Sequence, residues 1–416
     1  MTYRIAIVGA GPAGCYTAQA LRKQLEDAEI TVIERLPVPY GLVRYGVAGD
    51  HQGTKAVTRQ FARVFERQNV EFLGNVEVGR DVELSDIRET MDAVVLATGL
   101  YNDRPLGIDG ERLAGVYGAG ALTRYWNGHP DDSGLAPELG RCVAVIGNGN
   151  VAMDIVRLLG KGPADFSGSD IDPDYFPHAV EKIHVVGRSD IAEAKFDVAM
   201  VKELAGITNL RCSMASGDAL DGNATGIAAA LAEVFAVASA GAQRQVIFHS
   251  GWASNHIEAE NDRVAVLHLT RQNPRTIKTL ACDSIVTAIG FDSAGECDRA
   301  ALSSKTQSGG CGPNDNGLFA VGWLRRGPQG TIPENRADAQ NVAAQVAKSL
   351  RLTKCGTRPG RAALIEKLSQ RPTTYSDWLA IDRKEIAMAA ENRCRRKIRT
   401  TTEMLNIVSK NQEDIA

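Results

Sequence analysis

The sequence predicts an α/β chain built from two similar units, each a parallel sheet covered by helices. Two stretches that read as strand, glycine turn and helix carry that prediction: "YRIAIVGAGPAGCYTAQALRKQL" near the start and "RCVAVIGNGNVAMDIVRLL" at residues 141–159. A third observation is a pair of further strands ending in small residues, "MDAVVLATG" (91–99) and "CDSIVTAIGF" (282–291), one after each unit. At 416 residues, with 44% apolar and 23% charged side chains, the chain has ordinary globular composition and length enough for two domains.

In the first unit Gly9, Gly11 and Gly14 form G-x-G-x-x-G. The first glycine permits the tight turn, the second lets a pyrophosphate approach the backbone, and the third lets helix and strand pack closely. The helix N-terminus adds amide donors and partial positive charge. Glu34 ends the next strand, "EITVIE", where an acid accepts hydrogen bonds from ribose hydroxyls. In the second unit Gly147, Gly149 and Ala152 take the three roles, but its next strand, "KIHVVGRS", ends in Arg188. An acid there would repel a 2′-phosphate, whereas arginine binds one through charge-assisted hydrogen bonds. The first site therefore suits FAD or NAD, and the second leans toward NADP. Two Rossmann-like dinucleotide-binding sites in one chain imply a flavoprotein that takes hydride from a nicotinamide.

Other features narrow the class. The net charge of −3 argues against a general nucleic-acid binder. Eight cysteines are scattered without a C-x-x-C pair, which leaves buried free thiols in a reducing cytosol as the expected reading and offers no metal site. The strand pattern begins at once, so no cleaved leader is expected, and no apolar stretch is long enough to span a membrane. A cytoplasmic protein is expected. "GKGPADFSGSDIDPDYFPH" (160–178) reads as a polar, turn-rich surface excursion, and the alanine-rich run at 226–243 as a buried or interface helix.

The chain resembles the adrenodoxin reductase-like ferredoxin–NADP(+) reductases, a branch of the two-dinucleotide-binding flavoproteins. The resemblance rests on "YGLVRYGVAGDH" (40–51), "GNVEVGRDV" (74–82), "YWNGHPD" (125–131), "GNGNVAMD" (147–154), "GWLRRGPQGTIPENRADAQN" (322–341) and the tail "TYSDWLAIDRKEI…RRKIRTTTEML" (374–405). It implies that a loop (40–51) and a following strand (74–82) flank the flavin. It also implies an NADP domain inserted into the FAD domain: residues 1–103 and 292–416 for FAD, and 104–291 for NAD(P). The chain would cross between them near "GLYNDRP" and "GFDSAGE".

For FAD the resemblance implies contacts from Ala13 and Glu34, then Leu42 and Val78, with Trp323 and the Gly330, Thr331 and Ile332 turn at the flavin ring. Backbone amides of that turn would donate to the flavin's pyrimidine edge, and a side chain at Gly330 would occupy the space where nicotinamide stacks. Arg325 and Arg326 are given no catalytic role. For NADP the implied residues are Asn148, Gly149, Asn150 and Val151 at the pyrophosphate and Arg188 at the 2′-phosphate. His51 and Glu203 are implied as a pair beside nicotinamide and flavin, able to hold the ring and shuttle a proton.

Three positions depart from the family pattern. Ser189 stands for a second arginine, Met200 for a glutamate and Gln52 for a proline. The Ser189 hydroxyl replaces only part of the missing clamp, and Asp190 disfavours an anion, so modest NADPH preference with usable NADH is expected. The implied acceptor is a small [2Fe–2S] ferredoxin. Arg393, Arg395, Arg396, Lys397 and Arg399 form the one strong basic cluster, either a docking patch for an acidic ferredoxin or a solvated helix end. Two other functions stay open at this point: a flavin subunit of a larger oxidoreductase, like glutamate-synthase small subunits, or a non-enzymatic nucleotide sensor on this fold.

Overall fold

The computed structural model describes residues 2–218, 220, 226–237, 241–272, 275–293, 317–353 and 356–413. Runs such as "RIAIV" and "EITVI" are apolar on both faces and become central strands of sheets covered on both sides, as parallel strands require. One sheet has five parallel strands in the spatial order Leu318–Ala320, Ala93–Leu96, Arg4–Val8, Glu29–Ile33, Val70–Leu73. A second has six, also parallel, in the order Val116–Gly118, Ser284–Thr287, Cys142–Ile146, Lys182–Gly187, Arg244–Ser250, Leu210–Met214. The α/β class and the paired Rossmann-like sheets are thus as the sequence predicts.

The chain leaves the first sheet after Ala93–Leu96 and returns to it only at Leu318–Ala320. Between the sheets, the outgoing Asn102–Asp103 and returning Phe291–Asp292 pair as a short antiparallel ladder, and Arg104 binds Asp292 at 3.4 Å. Residues 294–296 of the predicted return crossing lie outside the described residues. A three-stranded antiparallel sheet, Ala253–Glu260, Arg263–Gln272 and Arg275–Ala281, is appended to the six-stranded sheet's core.

The helix Pro12–Gln24 starts with Pro at its first turn and ends with Arg22 and Lys23, both suited to those ends. It packs between the five-stranded sheet and the long helix Ile332–Thr353. Full burial of Ile5, Ile7, Leu21 and Ile30 contributes about 1.5–3 kcal/mol per side chain before entropy is counted. Among the described residues no helix is long and apolar enough to cross a membrane, and no group of three or more His, Cys, Asp or Glu is placed to hold a metal. Cys15, Cys212 and Cys282 are buried free thiols, while Cys297, Cys311 and Cys355 lie outside the described residues.

Three local expectations need correction. The 74–82 stretch is not a strand: Gly74 bridges to Thr373 and Val78 to Val82, because Asp81 folds the backbone over by accepting the Glu77 amide at 2.8 Å. The 160–178 excursion is anchored rather than superficial, with Phe166, Asp170 and Ile171 buried. The alanine-rich helix spans only Gly226–Phe235 and buries Ala228, Ala230, Leu231 and Val234. Residues 238–240 of that run lie outside the described residues.

Candidate active site and coenzyme sites

The two glycine turns repeat one geometry. Gly9 has φ +110°, and a Cβ there would sit 2.5 Å from the Ala97 carbonyl oxygen. Gly147 has φ +141°, and its Cβ would sit 2.3 Å from the Ala288 oxygen. Ala97 and Ala288 follow the two additional strands noted in the sequence, so each turn is pressed against the strand beside it. A Cβ on Gly14 would lie 1.9 Å from the Gly9 oxygen, which is the close helix–strand approach expected of the third glycine. Ala152, buried in the same role, shows that the second unit tolerates a methyl. The middle glycines differ: at Gly11 and Gly149 nothing lies within 4 Å of a Cβ. Both caps open onto empty space at a helix N-terminus, the shape a pyrophosphate needs.

Around the first turn, Glu34 Oε2 accepts the Ala10 amide at 2.9 Å and Oε1 accepts the Leu36 amide at 3.2 Å. Burial pushes its carboxyl up, against the downward pull of those amides and Arg35. Each oxygen keeps a lone pair for a hydroxyl. The short helix Gly41–Tyr45 starts beside the turn: a Cβ on Gly41 would be 3.1 Å from Gly11 Cα; Leu42 is its second residue. From the other side, a Cβ on Gly322 would be 2.6 Å from Ala13 Cβ, so residues 322–332 arrive beside the same turn. Trp323 stacks on Phe291 with centroids 5.7 Å apart, and its buried Nε1 has no hydrogen-bond partner. Val78 is half-buried against the cluster that holds Leu324. An open cradle, a half-buried acid with a spare acceptor and an orphaned indole donor fit FAD.

Gly330 is exposed at φ +87°, and its Cβ would lie 1.6 Å from Glu334 Oε2 and 3.1 Å from Arg326 Nη1. The turn itself requires glycine, whatever stacks nearby. Thr331 is exposed, with its carbonyl accepting Asn335 Nδ2 at 3.2 Å, and Ile332 opens the long helix. Arg325 and Arg326 are structural: Arg325 pairs with buried Asp338, which also accepts the Gly322 amide at 2.7 Å, and Arg326 donates to Asn335 at 3.1 Å.

At the second turn, the Asn148 carbonyl accepts the Lys195 amide at 2.7 Å and Asn150 Oδ1 accepts the Asp197 amide at 2.7 Å. Asn148 Nδ2 is buried without a partner. Val151 is half-buried in the first turn of the helix Asn150–Gly160. Arg188 is exposed at the end of its strand, and Ser189 beside it accepts the Gly251 amide through its carbonyl at 3.1 Å. Asp190 caps the following turn by accepting the Ala192 amide at 2.9 Å. Met200 is half-buried in the apolar core.

His51 and Glu203, 152 residues apart in sequence, meet at 3.1 Å between Nε2 and Oε2. Sequence reasoning missed what surrounds them. Asp154 Oδ1 lies 3.7 Å from His51 Nδ1, and fully buried Arg157 binds Asp50, Asp154 and Glu203, with Lys161 also on Asp50. Burial raises the Asp50 carboxyl, but Arg157 and Lys161 overcome that and hold it at about 2. Burial pushes Asp154 up, against Arg157. The available signal was Asp154 and Arg157, charges three apart inside the otherwise apolar helix "NVAMDIVRLLG".

The basic tail is also absorbed. Arg395 pairs with Asp382 and Glu385, Arg396 with Asp172 and Asp174, and Arg393 donates to the Ile171 carbonyl. Arg399 lies over the Tyr125 and Tyr175 rings, and Lys397 is buried against Asp170. The tail binds its own protein instead of presenting a free cationic patch.

Comparison with known proteins gives the family. Residues 3–207 match the pyridine nucleotide-disulphide oxidoreductase family model. Cindoxin reductase of Citrobacter braakii is 42% identical over 411 residues, covering 97% of this chain and 90% of that protein. Human mitochondrial NADPH:adrenodoxin oxidoreductase is 32% identical over 461 residues, covering 98% and 92%. This chain belongs to the adrenodoxin reductase family. The structure of Mycobacterium tuberculosis FprA in complex with NADPH superposes with a TM-score of 0.88 at 28% identity, covering 98% of this chain and all of that one. As a family member, the protein is an NADPH-dependent flavoprotein oxidoreductase with FAD and NADP as cofactors.

Proposed function

We propose that this protein is a ferredoxin–NADP(+) reductase that passes electrons from NADPH through FAD to a small [2Fe–2S] ferredoxin. The observation that carries the reading is the His51–Glu203 contact, which joins the loop after Gly41–Tyr45 to a helix flanking the second glycine turn. Bound flavin accepts an electron pair from the coenzyme and releases it one electron at a time, which suits an iron–sulfur acceptor. The chain supplies the rest.

On this reading residues 1–103 and 292–416 hold FAD. Gly9, Gly11, Ala13 and Gly14 bind its pyrophosphate and Glu34 its ribose; Leu42 and Val78 contact it from the next loops, and Trp323, Gly330, Thr331 and Ile332 lie at the ring. Residues 104–291 hold the coenzyme. Asn148, Gly149, Asn150 and Val151 bind its pyrophosphate, and Arg188 with Ser189 reads the 2′-phosphate. Glu203 orients His51 through Nε2, and His51 holds the nicotinamide end and moves a proton at that nitrogen. Names and sequence coverage support the acceptor class: the relatives are reductases of cindoxin and of adrenodoxin. The buried free thiols favour a cytoplasmic location.

The test is steady-state reduction of ferricyanide, then of purified [2Fe–2S] ferredoxins, by the yellow protein with NADPH or NADH. Ferricyanide reduction without turnover on any ferredoxin would overturn the acceptor assignment. A protein that purifies without FAD and cannot be reconstituted would overturn the site assignment.

A further inference from the structure

We propose that Arg157 is the positioning residue of the His51–Glu203 pair, with Asp50 as its anchor. The inference rests on the roles given above to His51 and Glu203.

Arg157 has no exposed side-chain surface, yet it lies on a helix of the six-stranded sheet whose neighbours in sequence are apolar. A guanidinium is buried at such cost only when its partners are fixed. Its partners are the three carboxylates that surround His51. Asp50 directly precedes the histidine and accepts from Arg157 Nη1 and, at 3.0 Å, from Nη2. Asp154 accepts from Nη2 at 2.9 Å and faces His51 Nδ1. Glu203 lies 3.2 Å from Nε through the same oxygen that meets His51 Nε2. The Nε contact is an ion pair out of line for a hydrogen bond, so Glu203 is held by charge and left able to turn toward the ring.

One planar fork therefore sets the backbone before His51, the acceptor at Nε2 and the carboxylate facing Nδ1. It does so across three chain segments, 50–51, 154–157 and 203, that only the fold brings together. Lysine, a point charge on a flexible stem, cannot serve three separated carboxylates. With Glu203 Oε2 3.1 Å from Nε2 and Asp154 beyond hydrogen-bond reach of Nδ1, the geometry favours the tautomer with its proton on Nε2.

The experiment uses the flavin-loaded full chain. Arg157→Lys keeps a cation near Asp50 but loses the fork. Flavin reduction at saturating NADPH should slow roughly 10–100-fold while KM changes less than about threefold. In 15N-histidine spectra at alkaline pH, His51 should change from one ring tautomer to a mixture; His51→Gln assigns its signal among the seven histidines. If His51→Gln itself leaves reduction unchanged, the role given to the pair is wrong. If His51→Gln slows reduction but Arg157→Lys alters neither the rate nor the His51 signal, the positioning role is overturned and the pair's role stands. Should Arg157→Lys fail to fold, Asp50→Asn frees only the anchor and must produce the same tautomer mixture; an unchanged signal overturns the proposal.

Discussion

Asp170 and the two lysines that converge on it make an unequal pair of substitutions predictable. Lys55 Nζ lies 2.9 and 2.8 Å from the two carboxylate oxygens, and Lys397 Nζ lies 2.8 Å from one of them. All three side chains are under one-tenth exposed. Asn127 Oδ1 accepts from both lysines, at 2.7 and 3.1 Å. Burial raises the Asp170 carboxyl, but Lys397 and Lys55 overcome it and hold it well below its usual range; burial pushes the Lys397 ammonium well down. The site thus holds one carboxylate between two lysines, and burial disfavours the charge on one of them, Lys397.

Asp170→Asn strips the carboxylate that bonds both lysines and leaves them buried against an amide. Breaking a buried pair costs about 3–5 kcal/mol. At about 2–4 °C per kcal/mol for domains of 150–250 residues, Tm should fall by about 6–20 °C. Lys397→Met removes the lysine whose charge burial disfavours, keeps Lys55 on Asp170 and fills the space with an apolar chain of similar length. Its effect should stay within about 1 kcal/mol of wild type. Circular dichroism melts of the flavin-loaded protein, with flavin fluorescence as a second probe, measure both. Lys397→Met as damaging as Asp170→Asn would refute the argument that Lys397 is the weaker of the two partners. The same geometry changes what charge reversal in the tail means: at Lys397 it places a second buried carboxylate beside Asp170 and damages the fold, whichever acceptor is used.

Three further outcomes are expected. Gly11→Val meets no protein atom at its Cβ but fills the pyrophosphate cradle, so it should yield folded protein without flavin; full flavin retention by absorbance would remove Gly11 from the site. Arg188 is exposed and Ser189 supplies at best one hydroxyl, so NADPH should be preferred only modestly over NADH; Arg188→Ala should erase a preference worth roughly tenfold or more, and Ser189→Arg should lower KM for NADPH. Asp50 is held at about 2, below its unfolded value, so its contribution is complete above about pH 4 and lost as pH falls toward 2. It is on the order of 2 kcal/mol. Urea midpoints across that range should fall less steeply in Asp50→Asn than in wild type, and identical slopes would contradict the assignment.

The sequence by itself determined both nucleotide turns and the sheets that carry them, because their demands are local. Gly9 and Gly147 need positive φ, Gly14 leaves no room for a Cβ, and each sits between a run of apolar strand and the start of a helix. Pairing His51 with Glu203 was legible only through resemblance to a family, since nothing in either segment names the other. Tertiary structure alone decided the partners of the charges. Arg157, a lone cation in the helix "NVAMDIVRLLG", is the buried hub of three carboxylates. Arg395, Arg396 and Lys397 read as a cationic patch and prove to be tied to Asp382, Asp172 and Asp170. At Gly330 the structure adds a backbone reason for glycine, a φ of +87°. Backbone conformation is set within a few residues and leaves its mark in local sequence. A charge is neutralised by whatever the fold brings within about 4 Å, and that neighbour can stand hundreds of positions away.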